Sequence, residues 1–333
     1  MTDWLLIGGA GFIGQHLVAH ILHSRPKDNV AVLDLVGEDS VIDKVAVPSD
    51  LKKGRYSHCS ADVRDIDQLK RSCTTADVCV NLAAVHREPG HQAHEYFSTN
   101  VTGAEHVCRL AEEIGCPEII FTSSISVYGI HGTTVDERTA PRPQTPYGQS
   151  KLKAEEVHLD WARRTGGRLS IIRPGVVFGP GENGNVTRLV KEMLKRQRQI
   201  RIEPDQVKAG IYIDELLGVI DWLREKPLAP GESHLVNGVS KENITFNAFG
   251  NVLQELQSFQ KRPVNVPGRL LGFSLGLLKP FAWTISPASK LHPQRLAKLL
   301  KANDVQPGAL RDMAYPFTWP LERALADWLA RGL

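Results

Sequence analysis

Tyr147 and Lys151 are the residues of this chain whose types and spacing point most directly to chemistry. They lie four positions apart in a segment with helical periodicity, so both side chains are expected on one helix face. A phenol with an ordinary pKa of about 10 is a poor base at neutral pH, but a nearby ammonium group lowers that pKa. Tyr147 is therefore a candidate for removing a proton from a hydroxyl group. The alternative is a surface tyrosine with a helical lysine neighbour, which is the commoner outcome for an isolated pair.

Two serines, Ser123 and Ser124, follow a short apolar run, Ile119–Phe121, that is typical of a buried strand. The carboxyl end of a strand in a parallel sheet opens onto the ligand cleft. One of these hydroxyls could therefore hydrogen-bond a reacting oxygen atom. The alternative is that both serines only satisfy backbone groups at the end of the strand.

Gly8, Gly11 and Gly14 form the pattern G-x-x-G-x-x-G after the first predicted strand and at the start of a helical segment. Glycine allows a tight turn and a close approach of the backbone to a pyrophosphate, and the helix N-terminus supplies free N–H groups. Asp34 ends the second predicted strand, where a carboxylate can bind the ribose hydroxyls of a dinucleotide. No arginine follows Asp34 closely to accept a 2′-phosphate, so the pattern favours NAD over NADP. Asp62, after the third strand, suits an adenine amino group or, alternatively, a helix cap.

Short apolar runs alternate with longer amphipathic segments, which predicts a parallel sheet covered by helices on both faces. The predicted strands are Leu5–Ile7, Val30–Leu33, Val78–Leu82, Ile119–Phe121 and Leu169–Ile172, and the predicted helices are Ile13–Ser24, Ile66–Cys73, Glu95–Ile114 and Tyr147–Arg164. After about Gly179 we expect a helix over Asn185–Lys195, a strand and a helix within Ile211–Leu223, a strand over His234–Val236, and a helix over Phe246–Phe259 capped by Thr245.

This pattern predicts a doubly wound α/β fold, a Rossmann domain with a smaller, mostly C-terminal α/β substrate lobe. Residues 1–178 are predicted to form the NAD-binding domain, with 205–240 returning to it. Residues 179–204 and 241–333 are predicted to form the substrate-binding lobe. Because ligands of open parallel sheets bind beyond the carboxyl ends of the strands, we expect the cleft between the two parts.

The composition excludes several classes of protein. The 333 residues include 40 Lys plus Arg and 37 Asp plus Glu, and this near balance shows no nucleic-acid footprint or acidic tail. The hydrophobic fraction of 42% excludes disorder over most of the chain. The five cysteines show no pairing pattern, which indicates free thiols in a reducing compartment. With no signal-peptide pattern and no apolar run long enough to span a bilayer, we expect a cytoplasmic protein.

Taken in order, these motifs resemble the extended short-chain dehydrogenase/reductase superfamily. Besides the glycine loop, Ser124 and Tyr147-x-x-x-Lys151, the resemblance rests on Asn81-Leu-Ala-Ala84, Asn100-Val-x-Gly103 and Arg173-Pro-Gly-Val-Val-Phe-Gly-Pro180. It is close over about residues 3–240 and looser afterwards. Most enzymes of this superfamily act on nucleotide-activated sugars, so the resemblance implies a sugar substrate.

The resemblance, with the motifs above, implies three sets of site residues. The catalytic residues are Ser124, Tyr147 and Lys151. The NAD site comprises Gly8, Gly11, Phe12, Ile13, Gly14, Asp34, Asp62, Val63, Leu82, Ala83, Ala84, Asn100, Thr122, Tyr147, Lys151 and Pro174. The substrate site comprises Ser124, Ser126, His86, Asn185 and Lys208. No metal is expected, because His86, His91 and His94 lack a helical pattern or a carboxylate at ligand spacing.

The two residues after Ser124 narrow the set of reactions that the chain could catalyse. Sugar 4,6-dehydratases of this superfamily carry Asp-Glu there, whereas this chain has Ile125 and Ser126. Nucleotide-sugar decarboxylases usually have Glu at the second position, and the Cys and His of fucose-type epimerase-reductases have no match. The chemistry that remains needs only a hydride and one proton: 4-epimerisation, 4-keto reduction or alcohol oxidation.

A closer resemblance is to the bacterial N-acetylglucosaminyl-diphospho-undecaprenol 4-epimerases, with UDP-sugar 4-epimerases as more distant relatives. It rests on Leu82-Ala-Ala-Val-His-Arg87, Ile120-Phe-Thr-Ser-Ser-Ile-Ser-Val-Tyr-Gly129, Ile171-Ile-Arg-Pro174 and Gly184-Asn-Val186. Two positions depart from the UDP-sugar epimerases: Val176 stands where they commonly have Asn, and Lys208 where they have a phosphate-binding Arg. Lys208 can still neutralise a diphosphate as a point charge.

We therefore expect an NAD-dependent 4-epimerase of a hexose or N-acetylhexosamine, of the GlcNAc/GalNAc type, on a UDP or polyprenyl diphosphate carrier in surface polysaccharide synthesis. The alternatives are an NAD(P)H-dependent 4-ketoreductase of a 4-keto-6-deoxy nucleotide sugar and a non-catalytic NAD-binding regulator, against which Ser124, Tyr147 and Lys151 argue. A homodimer is expected, without nucleic acid as a partner. The segment Arg269–Trp283, apolar with basic ends, predicts peripheral membrane contact or, alternatively, a core helix of the substrate lobe.

Overall fold

The structure is a computed structural model and describes residues 1–37, 47–88, 90–267 and 303–333. The strands are β1 (Asp3–Ile7), β2 (Asn29–Asp34), β3 (Tyr56–Ser60), β4 (Val78–Asn81), β5 (Glu118–Thr122), β6 (Arg168–Pro174), β7 (Val176–Phe178), β8 (Ile200–Glu203), β9 (Val207–Lys208), β10 (Gly210–Tyr212), β11 (Ser233–Gly238), β12 (Ile244–Thr245) and β13 (Val264–Pro267). The helices are α1 (Phe12–Ser24), α2 (Ser49–Lys52), α3 (Ile66–Ser72), α4 (Ala93–Phe97), α5 (Gly103–Glu113), α6 (Pro146–Thr165), α7 (Asn185–Arg196), α8 (Ile213–Glu225), α9 (Phe246–Gln257), α10 (Gly308–Asp312) and α11 (Leu321–Arg331).

Seven of these strands form one sheet in the order β11-β6-β5-β4-β1-β2-β3. Every neighbouring pair in the sheet is parallel. From β1 the chain winds one way through β2 and β3, and the other way through β4, β5 and β6. Such a reversal leaves a crevice beyond the carboxyl ends of β1 and β4, where open α/β sheets bind ligands. The predicted doubly wound α/β fold is confirmed.

Most strands of the sheet are apolar because both faces are buried, whereas the edge strand β3, Tyr-Ser-His-Cys-Ser, is polar and largely exposed. In β1, Leu5 and Ile7 pack on one face while Trp4 and Leu6 pack on the other, since successive side chains of a strand alternate. Side chains of α3, α5 and α6 cover the first face, and side chains of α1 and α8 cover the second. A sheet covered on both faces needs continuous apolar runs rather than alternation, which is why its apolar strands were visible in the sequence.

A third cluster of buried apolar side chains lies apart from the two sheet faces. It brings together Phe178 of β7, Val190 of α7, Tyr212 of β10, Phe249 of α9 and Trp328 of α11. Three two-stranded pairs accompany it: β7 with β10, β9 with β12, and β8 with β13. These elements come mainly from the part of the chain after the first six strands.

The structure corrects one predicted helix and confirms the cap of another. The segment predicted as one helix, Glu95–Ile114, is two α-helices, α4 and α5, joined by a π-helical turn at Ser98–Thr102. Thr245 caps α9 as predicted, because its hydroxyl accepts the Ala248 N–H at 3.0 Å. The predicted segment Arg269–Trp283 lies outside the described residues. Within the part of the chain that is described, no helix is long and apolar enough to cross a membrane.

Candidate active site

The glycine loop between β1 and α1 closely approaches the loop that follows β4. Gly8 has a φ of +80°, and a Cβ atom there would lie 2.5 Å from the Ala83 nitrogen. A Cβ atom at Gly14 would collide with the carbonyl oxygen of Gly9. α1 starts after Gly11 without a side-chain cap, which leaves its first N–H groups for a ligand. This cradle fits the pyrophosphate of a dinucleotide.

Asp34 lies at the end of β2 beside the glycine loop. One carboxylate oxygen accepts the Ala10 N–H at 2.9 Å, and the other accepts the Val36 N–H at 3.0 Å. These bonds fix the carboxylate at the edge of the loop while the side chain stays partly exposed. A carboxylate oxygen can accept more than one hydrogen bond, so Asp34 keeps the capacity to bind ribose hydroxyls.

Asp62 follows β3 and forms an ion pair with Arg64, with 2.6 Å between Oδ2 and Nη2. The hydrogen bond from that guanidinium lowers the pKa of the Asp62 carboxyl. The helix-cap alternative does not hold, because Asp65 is the residue whose side chain caps α3. Val63 packs against Gly103, where an added Cβ atom would lie 3.0 Å from Val63 Cγ1. Asp62 as an adenine ligand stays a prediction.

Asn100 connects the loop after β4 to the helix that carries Tyr147. Its side-chain oxygen accepts the Val85 N–H at 2.9 Å, and its amide donates to the Val85 carbonyl at 3.1 Å and to Ser150 Oγ at 2.8 Å. Ser150 in turn donates to the Tyr147 carbonyl at 2.8 Å. Asn100 is buried within the π-helical turn, a geometry often found at functional sites. It therefore positions the catalytic helix rather than facing solvent.

Ser124 and Tyr147 are brought together at the carboxyl end of β5. Thr145 caps α6 by accepting the Gly148 N–H at 3.2 Å, which places Tyr147 in the first turn. The Tyr147 hydroxyl hydrogen-bonds the side chain of Ser124. Ser124 Oγ also accepts the Ser126 N–H at 3.1 Å and so begins the 3-10 turn at Ile125–Tyr128.

Lys151 lies one helical turn after Tyr147 and is buried. Its ammonium sits 4.3 Å from the ring centroid of Phe121, and His158 stacks on the same ring at 4.2 Å. Desolvation lowers the pKa of Lys151 to about 7, although the Glu155 carboxylate opposes this shift. Desolvation also lowers the pKa of His158 to about 4, so its imidazole is neutral at physiological pH.

The predicted lowering of the Tyr147 pKa depends on both the Lys151 ammonium and a cationic nicotinamide ring, and Lys151 alone does not produce it. Desolvation raises the pKa of Tyr147 to about 12, and the hydrogen bond with Ser124 opposes that shift only in part. The negative charge of Glu88 raises this pKa further. Lys151 itself loses much of its charge at neutral pH, which removes the source of the lowering. The positive ring of bound NAD is then the group left to favour the phenolate.

Sequence reasoning missed a buried hydrogen-bond network behind these residues. The Glu155 carboxylate accepts Ser123 Oγ–H at 2.5 Å and two guanidinium N–H groups of Arg173 at 2.9 and 2.6 Å. Arg173 also donates to the Tyr128 hydroxyl at 2.9 Å, which donates to Asn237 Oδ1 at 2.9 Å. The signal was present, because Glu155 follows Lys151 by one further helical turn. The network holds the ends of β5, β6 and β11 against α6.

The remaining predicted cofactor residues line the same strand ends. Thr122 donates its hydroxyl to the Asn81 carbonyl at 3.1 Å, and Pro174 is buried at the end of β6. Phe12 and Ile13 form the first turn of α1, and Leu82, Ala83 and Ala84 follow β4. All five are partly buried. Among the described residues, no cluster of three or more His, Cys, Asp or Glu side chains could hold a metal ion.

The predicted substrate residues divide into two groups. The Ser126 N–H donates a hydrogen bond to Ser124 Oγ. His86 lies on the loop after β4, and desolvation and the charges of Arg87 and Lys151 lower the pKa of its imidazole. Lys208 is partly buried in β9, and desolvation lowers its pKa to about 8. Asn185 is exposed at the start of α7 and accepts a hydrogen bond from Arg188. Within the described part of the chain, no hydrogen bond joins Asn185 or Lys208 to Ser124 or Tyr147.

The sequence profile of the NAD dependent epimerase/dehydratase family matches residues 4–237. The chain belongs to this family, and NAD is its cofactor. It is therefore an enzyme of the extended short-chain dehydrogenase/reductase type.

Two relatives are similar to this chain over far more than the glycine loop. The chain is 30% identical over 283 residues to the N-acetyl-alpha-D-glucosaminyl-diphospho-ditrans,octacis-undecaprenol 4-epimerase of Escherichia coli O157:H7, covering 84% of this chain and 78% of that protein. It is 27% identical over 248 residues to an uncharacterized UDP-glucose epimerase of Bacillus subtilis (strain 168), covering 72% and 78%.

Solved structures share the fold at lower identity. The UDP-glucose 4-epimerase of Thermotoga maritima with UDP-glucose aligns with a TM-score of 0.74 and 19% identity, covering 99% of this chain and 98% of that one. The UDP-glucuronic acid 4-epimerase of Bacillus cereus with UDP-glucuronic acid and NAD aligns with a TM-score of 0.72 and 20% identity, covering 99% and 98%. These likenesses show the fold.

Proposed function

We propose that this protein is an NAD-dependent 4-epimerase of a hexose or N-acetylhexosamine carried on a diphosphate. The observation that carries the proposal is the placement of the Tyr147 hydroxyl against Ser124, with Lys151 buried one turn further along α6. All three residues lie at the carboxyl end of β5, beside the crevice that the glycine loop borders. The 30% identity to the undecaprenol-linked 4-epimerase supports the same reaction.

Tyr147 takes the proton of the sugar C4 hydroxyl and later returns it to the C4 oxygen. The glycine loop and Asp34 would hold NAD, which when bound would supply the hydride acceptor and donor for C4. Ser124 holds the C4 oxygen by a hydrogen bond, so its hydroxyl orients the sugar toward Tyr147. Between the two steps the 4-keto sugar rotates within the site, so that the hydride returns to the opposite face of C4. No net oxidation occurs, so turnover needs no added reductant.

The residues after Ser124 support epimerisation over dehydration. Loss of the C6 hydroxyl needs an acid and a base near the sugar, and these two positions hold no carboxyl group. Ile125 is buried and apolar, while the Ser126 N–H is engaged with Ser124. Ser124, Tyr147 and Lys151 can therefore move one proton, which is what inversion at C4 requires.

The proposed substrate is of the GlcNAc/GalNAc type, and the proposed role is in surface polysaccharide synthesis. Val176, at the start of β7, is 49% exposed and offers an apolar contact instead of an amide. Lys208 can neutralise a diphosphate of either a UDP or a polyprenyl carrier. His86, Ser126 and Asn185 are the further proposed substrate contacts, and Asp62 the proposed adenine ligand.

The arrangement of the whole protein is part of the same proposal. Residues 1–178 and 205–240 form the NAD-binding domain, and 179–204 and 241–333 form the substrate lobe. A homodimer is supported by an apolar surface that includes Phe97, Val101 and Leu152, because a second copy could cover it. The five free cysteines fit a cytoplasmic enzyme, in peripheral contact with the membrane when its substrate is lipid-linked.

The test is incubation with UDP-N-acetylglucosamine and with its polyprenyl-diphosphate counterpart, each without added reductant, followed by analysis of the released sugar. We expect the 4-epimer to appear and NAD to remain unchanged. Tyr96→Phe is a matched control for Tyr147→Phe, because the two rings lie 6.2 Å apart but the Tyr96 hydroxyl donates to the Arg87 carbonyl. Stoichiometric consumption of NAD(P)H with a 4-keto-6-deoxy sugar, and no epimer, would assign a 4-ketoreductase instead.

A further inference from the structure

A groove with an excess of positive charge lies between the end of α7 and strands β8 and β13. Its lining includes four cationic side chains and one carboxylate, Lys195, Arg196, Arg198, Lys261 and Glu192, around a volume of about 590 Å³. The formal net charge of the whole protein is only +3. The groove alone therefore concentrates as much positive charge as the entire chain carries in excess.

The backbone fixes these cations in one place. α7 ends at Arg196, and Gln197 turns the chain with a φ of +50°. The Lys261 N–H then donates to the Gln197 carbonyl at 3.3 Å, and the Val264 N–H donates to the Gln199 carbonyl at 2.9 Å. β13 continues this contact as a parallel partner of β8. Backbone hydrogen bonds therefore hold the segments that carry these cations next to one another.

Most of its positive charge is not neutralised by neighbours. Arg196 forms an ion pair with Glu192 on α7. Lys195 and Lys261 are exposed, and neither forms an ion pair with a described residue. The buried Nε of Arg198 has no hydrogen-bond partner within the described part of the chain. The exposed ammonium groups of Lys195 and Lys261 are accessible to an anionic partner, and their spread over a groove suits several phosphates rather than one.

The groove also has apolar walls. Ile200 and Val264 line it beside the cations, and Val264 is 37% exposed. Cations interleaved with exposed apolar side chains are typical of surfaces that bind the headgroup region of a bilayer. The chain leaves β13 at Pro267, directly before Arg269–Lys279, whose sequence is apolar with basic ends.

We infer that this groove binds the anionic surface of a lipid bilayer. The inference deepens the lipid-carrier part of the proposed function, because an enzyme that epimerises a polyprenyl-linked sugar must reach it at the membrane face. The partner is defined by its chemistry: a layer of phosphate headgroups above an apolar interior. Binding by such a surface is weak per cation and falls as salt screens the charges.

The test is sedimentation of the full chain with vesicles of phosphatidylglycerol and phosphatidylcholine, and with vesicles of phosphatidylcholine alone. We expect binding to the anionic vesicles only, lost at high salt. Lys195→Glu with Lys261→Glu should weaken it by about tenfold or more, since each cation near an anionic surface contributes roughly fivefold. Lys27→Glu with Lys53→Glu makes the same charge change at exposed positions outside the groove and should leave most of the binding.

Three results would overturn the inference. The first is that the wild type binds neutral and anionic vesicles equally well. The second is that the groove pair and the control pair of Lys→Glu variants lose the same amount of binding to anionic vesicles. The third is that the groove variants bind anionic vesicles normally while Leu271→Glu does not. Loss of RNA affinity in the groove variants, with no vesicle binding by the wild type, would assign the groove to nucleic acid instead. Turnover of a UDP-sugar by the same variants separates this test from the proposed function, because the groove variants should keep that activity.

Discussion

At the scale of single residues, Tyr147 and Lys151 have pKa values shifted in opposite directions by the same cause. Desolvation favours the neutral form of each, which raises the pKa of the phenol to about 12 and lowers the pKa of the ammonium to about 7. Near neutral pH the phenol of Tyr147 is therefore protonated, and Lys151 has lost about half of its positive charge. A positive nicotinamide ring, when bound, would favour the phenolate and so would couple the proposed proton removal to cofactor binding.

Tyr147→Phe should abolish turnover and leave NAD affinity nearly unchanged. The phenol oxygen is the proposed base, whereas the glycine loop and Asp34 are the proposed cofactor site. Loss of a general base costs roughly 10²–10⁴-fold in rate. Epimerisation assays and a parallel NAD titration check both parts, with Tyr96→Phe as the control. Wild-type turnover in the variant would remove Tyr147 from the mechanism.

The buried Lys151 should make stability depend on pH. Its pKa falls from 10.5 in the unfolded chain to about 7 in the folded protein, so between these values the unfolded chain binds the extra proton. The free energy of unfolding therefore rises with pH in this window, by at most about 1.4 kcal/mol per pH unit. Well below the folded-state pKa of about 7, both states are protonated and this dependence on pH disappears.

Urea unfolding measures this effect. The wild type and Lys151→Met are compared at about pH 7.5, 8.5 and 9.5, which lie between the two pKa values of Lys151. We expect the wild type to gain stability relative to the variant as the pH rises. Parallel curves for the two proteins would mean that Lys151 is protonated in the folded state.

Asp34→Ala should weaken NAD and relax the discrimination against NADP. The carboxylate can accept from ribose hydroxyls and repels a 2′-phosphate, and hydrogen bonds to a charged group contribute about 1.5–3 kcal/mol. We expect an NAD affinity roughly 10- to 100-fold lower, measured by titration calorimetry with both cofactors. Asp50→Ala, at an exposed position on α2, controls for the loss of charge. Tighter NADP than NAD binding in the wild type would contradict the assignment.

At the scale of elements, α6 positions one functional side chain of the site in each of three successive helical turns. Tyr147 faces Ser124, Lys151 lies on Phe121, and Glu155 binds Arg173 and Ser123. Glu155 and Arg173 are both buried, so each charge depends on the other. The Ser123–Glu155 bond also fixes the residue next to Ser124. The ion pair therefore links fold stability to the geometry of the hydroxyls proposed to be catalytic.

Arg173→Met alone should destabilise the fold by about 3–5 kcal/mol, because it leaves the Glu155 carboxylate buried without its cation. Glu155→Met with Arg173→Met should recover most of that loss, since neither charge remains. Chemical denaturation of the single and double variants measures the coupling. Arg164→Met, which breaks an exposed pair with Glu112, should cost less than about 1 kcal/mol. Equal costs for the two arginine variants would show that burial is unimportant here.

The sequence identified elements that have their own periodicity and missed those made by tertiary contacts. The apolar strands of the sheet were visible because burial on both faces requires apolar runs, whereas the polar edge strand β3 has no such run. β9 and β12 have two residues each and exist through pairing across 36 or more positions, so no local pattern marks them. The π-helical turn at Ser98–Thr102 was invisible because its apolar spacing continues that of α4 and α5. Likewise the placement of Tyr147 and Lys151 on one helix followed from spacing, whereas the Asn237 contact with Arg173 through Tyr128 did not.

At the scale of the whole molecule, two apolar cores meet at the glycine loop. Ile13, in the first turn of α1, packs against both the sheet core and the cluster around Phe178 and Trp328. The chain end contributes to the second core, because α11 carries Trp328 and its Arg331 pairs with Asp214 of α8 at 2.7 Å. The cofactor cradle is therefore supported from both sides.

Trp328→Ala should destabilise the whole protein and not the C-terminal cluster alone. Trp328 is 1% exposed, and removing such a side chain from a core costs about 3–5 kcal/mol. Because Ile13 joins the two cores beside the cradle, we expect one cooperative unfolding transition at a lower temperature, with NAD released in the same step. Saturating NAD should raise that temperature in the variant as in the wild type, since it binds the folded state alone. Calorimetry with fluorescence of bound NADH checks this, and an early transition that leaves the nucleotide bound would show instead that the substrate lobe unfolds independently.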